Sequence, residues 1–179
     1  MTRRQALAKY SAYRLLKEFH VKEPPVPVLD IAEKVARVRY FHDKDLREGY
    51  AFYWPRWDVH YICLNLVYPS QMELVCAYLL AHVVLGHYKN PATLWSELLL
   101  QKEDADIFVR VFLMPKELVF RYVGFPLGNT PERRLRELQA AFKVPWDLFM
   151  KRLHELEKAS GKVDSLRPNY PPGRLYRIK

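Results

Sequence analysis

The chain has 179 residues, of which half are hydrophobic and 14% are aromatic, and its formal net charge is +9. A chain of that length forms one domain, or one domain with a tail, and its hydrophobic content excludes a globally disordered protein. From Glu132 to the end, twelve Lys and Arg residues outnumber six Asp and Glu residues. This basic segment could bind nucleic acid or an acidic surface of another protein, or it could simply be a solvated helical face with a basic tail.

The first forty residues predict two helices and a strand. Apolar residues recur at helical spacing over Arg4–Phe19, and a proline-rich stretch around Pro25 then breaks the chain. A short helix follows over Val28–Ala36. Residues Val38–Phe41 are typical of a strand.

A β-hairpin is predicted next. Two aromatic and β-branched runs, Gly49–Trp54 and Val59–Leu66, flank the four-residue turn Pro55–Asp58. Trp54 and Trp57 are candidates for binding a protein partner, because tryptophan is enriched in binding hot spots. The alternative is that these rings pack against the first helix.

A buried helix is predicted over Gln71–Leu85, since this run is apolar nearly all round. Ser70 provides an N-terminal capping box, and Gly86 is a natural stop. His82 and His87 would be about 140° apart on a continuous helix. On that geometry the two histidines do not share a face, and they are not a ready-made pair of metal ligands.

The rest of the chain is predicted to be helical up to residue 157. A long helix covers Leu94–Leu113, a short helix follows, and the pair over residues 131–157 has the spacing of a helix-turn-helix. Either this pair packs as an ordinary structural element, or its basic side chains bind DNA phosphates. The candidates for that contact are Arg133, Arg134, Lys143 and Lys151. Residues 158–179 form a basic tail containing Pro and Gly, expected to be extended or disordered unless docked.

The hairpin and the helices that follow it resemble the ImmA/IrrE family of zinc metallopeptidases. The resemblance rests on the strand Ile62–Asn65, on the helix end Val83–His87, and on a second helix in which Asp104–Val109 is followed by Phe112–Pro115. It implies an α+β fold with a zincin-like scaffold, in which a small antiparallel sheet packs against a mainly helical domain with a buried central helix. This domain would cover residues 1–157.

The catalytic motif of that family, H-E-x-x-H, is degenerate in this chain. In the motif two histidines one helical turn apart bind zinc, and the Glu takes a proton from the bound water. Aligned on Leu85–His87, the first His falls on Tyr78, the Glu on Leu79 and the second His on His82. The family's third ligand, a Glu, falls on Asp104. An alkyl side chain cannot accept a proton, so the resemblance implies loss of the general base.

We therefore expect a vestigial metal site. Tyr78, His82 and Asp104 would form a buried polar cluster, with no catalytic residue and no cofactor. Each of these side chains is nevertheless chemically able to bind zinc, and retention of zinc is the alternative.

Three functions from different classes remain open. The first is a pseudo-peptidase that binds a protein, such as the helix-turn-helix repressors of mobile elements or stress regulons on which the resembled family acts. The second is an active zinc peptidase with an atypical site that cleaves such a repressor, with Glu103 or Asp104 as the base. The third is DNA binding through the basic C-terminal helix pair.

The expected cellular compartment is inferred from three sequence features: hydrophobic runs, the N-terminal segment and the cysteines. No apolar run reaches the ~20 residues of a membrane span, and no apolar signal segment follows Met1. The two cysteines, Cys63 and Cys76, are too few for a disulfide framework or a four-cysteine zinc site. We expect a cytoplasmic protein with reduced thiols.

Overall fold

The computed structural model describes residues 2–91, 94–123 and 130–159, which form an α+β fold. Its seven helices are α1 (Arg3–Glu18), α2 (Val28–Val35), α3 (Met72–Val84), α4 (Trp95–Leu113), α5 (Lys116–Val123), α6 (Glu132–Phe142) and α7 (Trp146–Ala159). Its three strands are β1 (Arg37–Phe41), β2 (Gly49–Trp54) and β3 (Val59–Asn65). These elements confirm the predicted ones to within a few residues. Of the predicted tail, residues 160–179 lie outside the described residues.

β3 is the central strand of the sheet. β2 pairs with it in antiparallel register, from Gly49 opposite Leu64 to Trp54 opposite Val59, which confirms the predicted hairpin. β1 pairs with the other side of β3 in parallel. The sheet is therefore mixed, and the expectation of an antiparallel sheet is wrong. The reason is that β1 and β2 do not form a second hairpin: residues 42–48 cross the end of β3 and place β1 on its far side.

Asn65, at the end of β3, holds this crossing connection in place. The side chain is 1% exposed. Its Nδ2 donates to the carbonyl oxygens of Asp43, Leu46 and Arg47 at 2.6, 3.3 and 3.2 Å. Its Oδ1 accepts from the backbone N–H groups of Asp43 and Val67 at 3.3 and 3.2 Å. One buried amide thus satisfies backbone groups that a loop packed against the sheet would otherwise leave unpaired.

α3 is the central helix, as predicted. It packs against α2 and α4 and against one face of β2 and β3. The residues it buries are mostly small, which lets these neighbours approach closely: Cys76, Ala77, Leu80, Ala81 and Val83.

Gly49 on β2 shows how close that approach is. A Cβ at this position would lie 2.8 Å from the carbonyl oxygen of Cys63, 3.0 Å from Cγ1 of Val75 and 3.3 Å from Cδ1 of Leu79. Since real Cβ contacts are longer than this, only glycine fits here. The side of β2 that carries Gly49 therefore faces α3.

The start of α3 differs from the predicted capping box. A 3₁₀ turn over Pro69–Gln71 precedes the helix, and Gln71 takes the N-cap position without a side-chain hydrogen bond. Ser70 lies inside that turn rather than at an extended N-cap position, so the prediction of a Ser70 cap is wrong.

α7 docks onto α4 through two buried arginines. Nε of Arg110 lies 2.7 Å from a carboxylate oxygen of Glu155, and Nε of Arg152 donates to the carbonyl oxygen of Met114 at 3.0 Å. The second contact satisfies a carbonyl at the end of α4. None of the described helices is long and apolar enough to cross a membrane.

Candidate functional site

The candidate site lies where α3 ends beside α4. α3 stops at Val84, and Gly86 takes a left-handed φ of +74° that turns the chain back. Nδ1 of His87 consequently lies 2.8 Å from Nδ1 of His82. The expectation that the two histidines lie on different faces is therefore wrong, because it assumes a helix that continues through His87. Glycine is suited to this turn since it adopts positive φ without steric cost.

The two imidazoles form one hydrogen bond, in which one Nδ1–H donates to the other Nδ1. Burial lowers the pKa of His82, the charge of Lys102 lowers it further, and Asp106 opposes the change. Burial, followed by His82 and Arg4, lowers the pKa of His87 to about 4. Both rings are therefore neutral at pH 7, which is the state that an N–H···N bond requires.

Tyr78, one turn before His82, belongs to the same group of side chains. Burial raises the pKa of its phenol above the usual range, and the charge of Asp106 and a side-chain hydrogen bond with Asp106 raise it further. Asp106 on α4 thus acts electrostatically on both Tyr78 and His82. The phenol stays protonated, and it keeps a hydrogen to donate.

Asp104 is held by a different partner. Its Oδ2 accepts from Nε and Nη2 of Arg4 at 2.9 and 2.6 Å, which ties α4 to α1. No hydrogen bond of the described residues joins Asp104 to Tyr78 or His82. The acid beside those two side chains is Asp106, which projects about 200° away from Asp104 around an α-helix.

The positions considered for a general base carry no free carboxylate. Leu79 packs on the sheet at Gly49. Oε1 of Glu103 accepts from Nε2 of Gln5 at 3.0 Å, and Asp104 is bound by Arg4. Both acids that an atypical peptidase site would use are thus engaged by α1.

The arrangement does not fit a zinc ion. Two ligand nitrogens on tetrahedral zinc, each about 2.05 Å from the metal, lie roughly 3.3 Å apart. The Nδ1 atoms of His82 and His87 are closer, at the spacing of a hydrogen bond. Across residues 2–91, 94–123 and 130–159, no three or more His, Cys, Asp or Glu side chains are grouped so as to hold a metal ion.

The sequence does not predict Arg4, His87 or Asp106 as members of this site. Gly86 is the one available signal, because a glycine stop just before His87 indicates a chain reversal. Arg4 is separated from Asp104 by a hundred residues, and only the packing of α1 against α4 brings them together.

The basic residues of the C-terminal pair lie on its surface, mostly beside carboxylates. Arg133 and Arg134 both pair with Glu137, at 3.4 and 3.2 Å, and Nζ of Lys143 lies 3.6 Å from an oxygen of Glu73. Lys151 is exposed on α7. The apolar faces of the two helices enter the core: Leu135, Leu138, Phe142, Leu148, Phe149, Leu153 and Leu156. DNA binding by this pair stays a prediction.

Among the described residues, large apolar side chains are exposed on the hairpin and at the start of α4. Trp54 and Trp57 stack with centroids 5.4 Å apart and are 44% and 57% exposed. At the start of α4, Trp95 and Leu99 lie on one side of the helix and are 70% and 49% exposed. Leu94 and Leu100 are exposed beside them. This second surface, Leu94–Leu100, is not predicted from the sequence.

The chain matches no protein-family model, and no curated protein gives a match to its sequence. The resemblance to the ImmA/IrrE peptidases therefore stays a prediction from the motifs in the sequence.

Proposed function

We propose that this protein is a non-catalytic relative of the ImmA/IrrE metallopeptidases that acts in the cytoplasm by binding a protein partner. Leu79 supports the absence of peptidase chemistry, since it stands at the position of the general base and packs against Gly49. General-base catalysis is worth roughly 10²–10⁴ in rate. The two acids that an atypical peptidase site would use are engaged elsewhere, Asp104 by Arg4 and Glu103 by Gln5.

The exposed surface Leu94–Leu100 carries the binding half of the proposal. A contiguous patch of large apolar side chains on a water-facing helix is typical of a protein-binding surface, and tryptophan is enriched in binding hot spots. Nε2 of Gln101 donates to the carbonyl oxygen of Asn90, so the start of α4 adjoins the segment that follows His87. A partner on this surface would lie beside the degenerate site. A helix-turn-helix repressor is the partner class that the family resemblance implies.

The catalytic half is tested with the repressor encoded nearest to this protein's gene. The purified protein is incubated with it after addition of zinc, and in parallel with a chelator. We expect an intact repressor in both samples. Cleavage that the chelator abolishes would show an active metallopeptidase and overturn the proposal.

The binding half is tested by titrating the same repressor calorimetrically. Leu99→Ala should weaken binding about tenfold. Leu66→Ala is the matched control, since Leu66 is 46% exposed but lies at the end of β3. Absence of binding, or equal losses in the two variants, would contradict a binding surface on α4.

A further inference from the structure

The face of the sheet opposite α3 is lined with aromatic rings. Gly49 and Ala51 lie on the side of β2 that faces α3, so alternation places Tyr50, Phe52 and Trp54 on the other side. We call this side, with the rings around it, the outer face; its aromatic residues are Phe41, Tyr50, Phe52, Trp54, Trp57 and Tyr61.

The rings of the outer face form a continuous row. The centroids of Tyr50, Phe52 and Trp54 follow one another along β2 at 6.4 and 6.3 Å. The rings of Phe52 and Tyr61 lie 5.0 Å apart and within 7° of parallel. Tyr50, Trp54 and Trp57 are all exposed. Because exposed aromatic surface of this extent is uncommon, it indicates a ligand with flat, stackable groups.

Positive charge lies on the same face. In the register of β1 and β3, Arg37 lies opposite Tyr61 and Arg39 lies opposite Cys63. The side chains of both arginines therefore project on the same side of the sheet as Tyr61. Both are exposed, as is Arg56 in the turn after Trp54. The strands themselves contain no Asp or Glu.

Nη1 of Arg37 donates to the hydroxyl oxygen of Tyr61 at 3.3 Å, and Nη1 of Arg39 donates to the carbonyl oxygen of Val38 at 3.2 Å, so both bonds go to neutral groups. None of the ion pairs in the described part of the chain includes Arg37, Arg39 or Arg56. Arg37 lies 5.9 Å from the centroid of Tyr61, and Arg56 lies 5.8 Å from that of Trp57. Guanidinium groups next to ring faces can contact phosphates while the rings contact bases.

We propose that the outer face binds single-stranded nucleic acid. Bases would stack on Tyr50 and Trp54, while Arg37 and Arg39 contact phosphates. The combination favours a single strand, because a duplex buries its base faces and leaves only its edges and backbone to the protein. This activity is independent of the proposed binding of a repressor by Leu94–Leu100.

The test uses the full chain and fluorescein-labelled oligothymidylate or oligouridylate of about 12 nucleotides, within the site sizes of stacking platforms. Fluorescence anisotropy is measured at about 50 mM and about 200 mM salt. If three phosphates are contacted, the affinity should fall roughly 18-fold between these two concentrations. A duplex of equal length should bind less tightly.

Two variants of the outer face test stacking and charge separately. Trp54→Ala should weaken binding about tenfold. Trp54→Phe should bind nearly as tightly as the wild type, because it keeps a stacking ring. Arg39→Gln should weaken binding, and the slope of the logarithm of the affinity against the logarithm of the salt concentration should become shallower by about 0.7. Tyr10→Ala is the matched aromatic control, since Tyr10 is exposed on α1. Circular dichroism checks that each variant is folded.

Three results would overturn the proposal. The first is absence of binding to either oligonucleotide at low salt. The second is an equal loss in Arg133→Gln, or tighter binding of the duplex, which would move the site to α6 and α7. The third is unchanged oligonucleotide binding in Trp54→Ala and Arg39→Gln with loss of repressor binding, which would make the outer face a protein-binding surface.

Discussion

His82 and His87 meet through their Nδ1 atoms at 2.8 Å, although the first lies within α3 and the second lies beyond its end. Such a bond exists while at least one Nδ1 is free of hydrogen. Protonation of both rings would place two N–H groups face to face and break the contact. The pair therefore links the closing turn of α3 to the protonation state of the site.

Acid should destabilise the protein through His87. Burial lowers the pKa of this group from 6.5 to about 4, so the unfolded chain takes up the proton first as the pH falls. The contribution of His87 to the free energy of unfolding is complete above about pH 6.5 and is lost between pH 6.5 and 4. The loss is at most about 3 kcal/mol, because the ring is only partly buried. Urea unfolding at several pH values measures it.

His87→Gln isolates this contribution, since the variant should lose less stability than the wild type over the same pH range. His154→Gln is the control, because His154 is exposed on α7. A wild-type curve that stays parallel to that of His87→Gln would show that His87 is not held neutral in the folded protein.

The predicted and observed elements agree where local pattern decides the structure. The arms Gly49–Trp54 and Val59–Leu66 carry alternation and a short turn, and the hairpin forms. The apolar run of α3 is buried as expected. The position of β1 follows instead from the loop that Asn65 anchors, a set of contacts between residues about twenty apart. The periodicity of hydrophobic residues along the chain carries no information about such contacts, so the parallel pairing of β1 with β3 could not be predicted from the sequence.

The site was less predictable than the fold, because its partners come from several elements. Tyr78 and His82 share one side of α3, as their spacing of four residues requires. Which of Asp104 and Asp106 approaches them depends on the rotation of α4, and the contact of Arg4 with Asp104 is what reveals that rotation. The predicted position of His87 is wrong because an ideal helix does not turn at Gly86, whereas the chain does.

Asn65→Ala should destabilise the protein by about 3 kcal/mol. The change leaves several buried backbone groups of residues 43–47 without a hydrogen-bond partner. Each unpaired group costs roughly 1–3 kcal/mol, and relaxation of the loop offsets part of the sum. Asn65→Asp should be at least as harmful, because a carboxylate would face carbonyl oxygens. Urea unfolding gives the values. Asn90→Ala, at an exposed position, should change stability by less than about 0.5 kcal/mol; a similar cost at both sites would exclude the anchoring role.

Gly49→Ala should cost about 1–3 kcal/mol, because the added Cβ meets a backbone oxygen as well as Val75 and Leu79. Leu79→Ala in the same chain would relieve only the contact with Leu79, so it should recover little of the loss. Thermal unfolding of the single and the double variant checks this. If Gly49→Ala unfolds like the wild type, α3 does not pack against β2 as closely as described.

Cys76 should resist thiol reagents in the folded protein. The side chain is buried, and burial raises the pKa of its thiol to about 12, with further contributions from Glu33 and Glu73. The reactive thiolate is then scarce at pH 8. In a Cys63→Ser background, maleimide labelling of Cys76 should become fast only on addition of denaturant. Rapid labelling without denaturant would show that the core around α3 opens readily.

Arg4 and Asp104 should be energetically coupled. The side chain of Asp104 is 10% exposed and that of Arg4 is 46% exposed, so solvent screens the pair from one side only. A double-mutant cycle with Arg4→Met and Asp104→Asn should give a coupling free energy of about 1–2 kcal/mol. Arg133 and Glu137 provide the comparison, because that ion pair lies on the open surface of α6 and should couple by less than about 0.5 kcal/mol. Equal coupling in the two cycles would mean that Asp104 is free enough to leave Arg4, and it would return Asp104 to the candidates for a general base.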